Sequence, residues 1–195
     1  LVLQGGGDTD GSTAAVEEST LTLVDNANVA LTSIDATGWN ANLNVVALGD
    51  MATGTTIDFG GADSTLTVAE ASLGISKLVI DGGDGTDTIA ATNLGGVSTH
   101  TYVVNAANVE VMDLDIADDS DAQAAATSID LSGAGQLTNL KLNIDIATTS
   151  TDAEKFDEDL TISGLANSAT IEFSSADTDA SGYSDDTNGS VTVNA

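Results

Sequence analysis

The 195-residue chain predicts an all-β fold, a β-solenoid-like stack of short strands linked by glycine- and aspartate-rich turns. Three observations carry that prediction. Apolar and polar residues alternate in short runs, Pro is absent, and strand-like segments recur at a fixed spacing. A β-sandwich with evenly spaced strands is the alternative architecture.

The alternation locates the strands. Thr20 to Val24, Asn42 to Val46, Ser64 to Val68 and Lys77 to Ile80 each place an apolar residue at every second position. Asn108 to Val111, Asn139 to Ile144 and Thr170 to Phe173 do the same. A period of two puts the apolar set on one face of a strand. Gly, Asp, Asn and Ser clusters separate the runs, as turns require. Residues 122–126 and 152–159 are the two short segments that read as helical turns. An average chain of this length carries about ten Pro. Pro donates no hydrogen bond to a ladder, so its absence suits long uninterrupted pairing.

Repetition supports stacking. Leu78, Val109, Leu140 and Ile171 are spaced 31 residues apart, and each opens an apolar-x-apolar pattern. Thr32-Ser33-Ile34-Asp35 recurs as Thr127-Ser128-Ile129-Asp130, with Gly38 and Gly133 at the same offset. Periods of 20–50 residues mark stacked units. Domains usually run to roughly 100–200 residues, so 1–195 reads as a single all-β segment. Two fused repeats, 1–97 and 98–195, are the alternative division. Leu1-Val2-Leu3 and Val191-Thr192-Val193 are strand-like, so the chain reads as part of a longer one.

Charge limits the function. Thirty-one acids, 24 of them Asp, face three Lys and no Arg, for a formal charge of −28. Such a surface repels phosphate backbones, which excludes nucleic acid as a partner. No run approaches the roughly 18 apolar residues of a membrane span, so insertion is not expected. Cys is absent, so no disulfide framework braces the fold. Asp is short, suits turns and offers hard oxygens to Ca2+. The excess of Asp therefore points to calcium, with a solvated acidic surface as the plainer explanation.

Three motifs refine this reading. Gly82-Gly83-Asp84-Gly85-Thr86-Asp87-Thr88-Ile89-Ala90 fits the G-G-x-G-x-D-x-U-x nonapeptide in full. Its glycines permit a tight turn with carbonyls close to an ion, Asp87 supplies a carboxylate, and Asp81 and Asp84 add oxygens. Candidate metal ligands here are Asp81, Gly83, Asp84, Gly85 and Asp87. The second motif is Asp177 to Asp185. Asp177, Asp179, Ser181, Tyr183 and Asp185 follow EF-hand-type spacing, but Asn188 stands at position 12 and the flanks read as strands. The third is the cluster Asp113, Asp115, Asp118, Asp119 and Asp121. Asp113 and Asp115 share one face of a strand, where like charges favour a cation or a raised pKa, and a solvated acidic loop is the plainer reading.

The nonapeptide resembles the calcium-binding repeats of RTX (repeat-in-toxin) secreted bacterial proteins. The Thr-Ser-Ile-Asp repeats and the Ala/Thr/Gly/Asp-rich, Cys-free composition resemble RTX-type surface-layer proteins and large RTX adhesins. The resemblance implies a secreted, cell-surface location, calcium-dependent folding and assembly outside the cell. This chain has a single full nonapeptide, so an ion there needs ligands from a neighbouring turn.

No catalytic constellation stands out, and the chain reads as a non-enzyme. His100 is the only His, and Cys is missing. The expected role is a calcium-stabilised structural subunit of a surface layer or filament, self-associating through Ca2+-bridged strands. The alternative is a ligand- or glycan-binding or spacer module of an adhesin, with a cell-surface polysaccharide as partner; an exposed aromatic platform around Trp39 would favour it.

Overall fold

The computed structural model describes residues 1–5, 18–23, 32–47, 51–69, 78–95, 100–117, 126–145, 159–166, 168–175 and 190–194. They form 15 strands and no helix. One sheet has eight strands: β1 (Val2–Gly5), β3 (Ser33–Trp39), β5 (Thr55–Asp58), β7 (Leu78–Asp81), β9 (His100–Ala107), β11 (Ala126–Gly133), β13 (Asp159–Ser163) and β15 (Ser190–Asn194). The other has seven: β2 (Glu18–Leu23), β4 (Asn42–Ala47), β6 (Ser64–Ala69), β8 (Thr88–Gly95), β10 (Val111–Ala117), β12 (Asn139–Asp145) and β14 (Thr170–Ser175).

Successive strands alternate between the sheets, and every pairing is parallel to a strand two places away. That is a β-solenoid, in which each winding lays one strand in each sheet. A sandwich of antiparallel hairpins is thereby excluded. Both helical expectations, 122–126 and 152–159, fall almost wholly outside the described residues. The one described residue of each, Ala126 and Asp159, opens a strand.

The alternation read from the sequence becomes in-and-out packing. Val45, Leu66, Ile89, Met112 and Leu140 are in register on consecutive strands and are all buried. Across the interior, Ile34, Ile57 and Ile80 form a second buried row. The inward side chains of the two sheets merge into one core. Burying each large aliphatic side chain contributes about 1.5–3 kcal/mol. Parallel stacking repeats that contribution on every winding, so few aromatics are required. Phe59 and Tyr102 are the buried ones among the described residues.

The 31-residue spacing holds for Leu140 and Ile171, which pair. It fails earlier. Leu78 pairs with Thr55 in the other sheet, and Val109 lies in the connection between β9 and β10. Ile34, Ile57 and Ile80 instead follow one another at 23 residues, whereas Ile129 and Ile162 pair across 33. The connections between strands differ in length, so the stack is regular in space but not along the chain. The two Thr-Ser-Ile-Asp copies occupy like positions at the starts of β3 and β11. Ile34 and Ile129 point inward, and Asp35 and Asp130 each accept a bond from the backbone N–H two residues on.

Removing one methylene within a row probes this packing. Ile57→Val is expected to lower stability by about 1 kcal/mol, because Ile34 and Ile80 hold the space open. Urea unfolding measures the loss. An unchanged midpoint would show that the row is loosely packed.

Candidate cation-binding turns

Connections running from an odd strand to the next even strand share one long edge of the solenoid. They bond to one another like a third ladder. Phe59 N–H donates to Asp81 O at 2.9 Å, and Gly82 N–H to Ala107 O at 2.9 Å. Asp84 N–H donates to Gly60 O at 3.1 Å, and Thr138 N–H to Glu110 O at 2.9 Å. The nonapeptide turn, between β7 and β8, sits within this stack. Gly83 and Gly85 have φ of 83° and 118°, the left-handed region expected of the motif.

The glycines also serve contacts between windings. A Cβ on Gly82 would lie 1.9 Å from Asn108 O and 2.8 Å from Asp87 Oδ2. One on Gly83 would lie 2.1 Å from Gly60 O. Neighbouring backbones press into the space that a side chain would fill. The segment 108–110, expected to open a strand, is a connection too, with Asn108 at φ 51°.

The motif's aspartates separate into distinct environments. Asp84 is exposed. Asp81 Oδ1 accepts from Gly83 N–H at 3.1 Å and from Asn108 Nδ2 at 2.8 Å. Asp87 points inward and is 1% exposed. Its Oδ1 accepts from Ser64 N–H at 2.8 Å, while Oδ2 has no hydrogen-bond partner. Burial pushes its pKa up to about 7, helped by the charges of Glu110, Asp63 and Asp81 and opposed by the Ser64 bond. Asp63 and Glu110 bracket it: Asp63 Oδ1 accepts from Thr86 N–H at 2.8 Å, and Glu110 Oε2 from Asp87 N–H at 2.9 Å.

Beside this turn lies an open cleft of about 560 Å3. Asp58, Asp81, Asp84, Asn108 and Thr37 line it, with the buried Phe59. Asp35, Asp58 and Asp81 stand in register on β3, β5 and β7. Burial and the charges of Asp81 and Asp35 raise the Asp58 pKa. Asp35 is lowered by its bonds from Thr37. Sequence reading missed Asp35, Asp58, Asp63, Asn108 and Glu110. The signal was a 23-residue spacing: Asp35, Asp58 and Asp81 follow it, and so do Ser64, Asp87 and Glu110.

Asp113 and Asp115 share the outer face of β10, as expected, but an amide joins them. Asn143 Nδ2 donates to Asp113 Oδ1 at 2.8 Å and to Asp115 Oδ1 at 2.9 Å. Ser174 Oγ donates in turn to Asn143 Oδ1. Lys141, the one Lys among the described residues, lies 4.0 Å from Asp113. Asn143→Ala is expected to cost about 1 kcal/mol and to cost less at high salt, since the two bared carboxylates then repel each other. Denaturant melts at two ionic strengths test this, and an equal loss at both would contradict it.

Asp177, Asp179, Ser181, Tyr183 and Asp185 lie outside the described residues, as do Asp118, Asp119 and Asp121. Trp39 is half-buried, packs on the core and keeps its Nε1 from solvent. The His100 ring stacks on that of Tyr102 at 5.9 Å. Among the described residues, no group of three or more His, Cys, Asp or Glu side chains is arranged to hold a metal. No described helix is long and apolar enough to cross a membrane.

The fold and its acidic junctions define the class: a parallel β-solenoid in which the described residues place several carboxylates along one edge. No family model matches the chain, and neither a curated protein nor a solved structure matches it.

Proposed function

We propose that this solenoid is a calcium-stabilised structural subunit of an extracellular surface layer or filament. One observation carries the reading. Asp87 is buried with an unpartnered oxygen, Glu110 and Asp63 flank it, and among the described residues no Lys or Arg pairs with it. Leaving a buried acceptor unpaired costs about 1–3 kcal/mol, and an ionised one costs more. A cation removes that cost.

The donors suit Ca2+. All are hard oxygens, and the Asn108 carbonyl approaches the same side of Gly82 as Asp87 Oδ2. Asp87 Oδ2 and the Asn108 carbonyl would hold the ion, with the charges of Glu110 and Asp63 on the neighbouring windings favouring it. With so few carboxylates converging, the expected affinity is in the extracellular range of about 10⁻⁴–10⁻³ M. The ion would supply charge neutralisation and cross-linking of windings. Asp35, Asp58 and Asp81, in register on the outer face, offer carboxylates for bridging between copies.

Calcium titration by calorimetry tests the reading, with melting followed by circular dichroism. An ion at one hundred times its Kd adds about 2.7 kcal/mol per site. Added calcium is expected to release or absorb heat, raise Tm and yield sheets or fibres under the electron microscope, all reversed by chelator. Absence of heat, together with identical melting in calcium and in chelator, would end the proposal.

A further inference from the structure

We draw no further inference here: the strongest candidate, the open end of the solenoid where the core-facing Phe173, Val191 and Val193 of β14 and β15 stand exposed, is an apolar face and nothing in the structure shows what covers it.

Discussion

Asp87→Asn is expected to raise the stability of the calcium-free protein at pH 8 and to flatten its pH dependence between about 4 and 7. The folded state holds the Asp87 proton up to about pH 7, whereas an ordinary Asp releases it near 3.8. Below both values the carboxyl is protonated in either state and contributes no slope. Between them the folded state binds more protons, so stability falls as pH rises. Above about 7 the loss is complete and constant. Its size is on the order of a few kcal/mol. Asn has nearly the same shape and cannot ionise. Its carbonyl can still accept from Ser64 N–H, and its amide can face the Asn108 carbonyl.

Calcium should act in the opposite sense. It favours the ionised carboxylate, so it should restore wild-type stability at pH 8 while leaving the Asn variant unmoved. Thermal melts from pH 4 to 8, in chelator and in calcium, measure both effects. A wild-type curve that rises with pH in chelator would show that Asp87 is ionised and satisfied within the fold. Equal calcium responses of the two proteins would place the ion elsewhere.

Gly83→Ala is expected to lose at least 3 kcal/mol, or to prevent folding, through two separable causes. The left-handed φ costs a non-glycine residue about 1–2 kcal/mol. The new methyl would also sit 2.1 Å from Gly60 O, a backbone atom that moves only if the β5–β6 connection moves. Gly54 provides the control. Its φ is 79°, yet nothing lies within 4 Å of its missing Cβ. Gly54→Ala should therefore lose only about 1 kcal/mol, the conformational part alone. Urea midpoints of the two variants isolate the contact between windings. Equal losses would mean that the turn, rather than the stacking of connections, makes Gly83 necessary.

The residues legible in the sequence were those whose fate depends on near neighbours. Leu43 and Val45, or Leu140 and Leu142, declare an inward face because side chains alternate along any strand. Gly83 and Gly85 announce a turn because few other residues adopt their φ. β5 was harder to see, because its first inward residue is Thr55, a polar side chain buried against expectation. The 31-residue spacing misled for a related reason. It sampled two sheets and a connection as though they were one row.

By itself the sequence determined the strand class, the parity of strands such as β4, β6 and β12 and the position of the sharpest turn, since all three follow from local stereochemistry. Tertiary structure alone decided which windings meet. That choice set Asp87 beside Ser64 and Glu110, 23 residues away on either side, and laid Asn143 across Asp113 and Asp115. Register depends on the length of each connection and on how the rows of the core fit over one another. Neither is written in the spacing of any single motif.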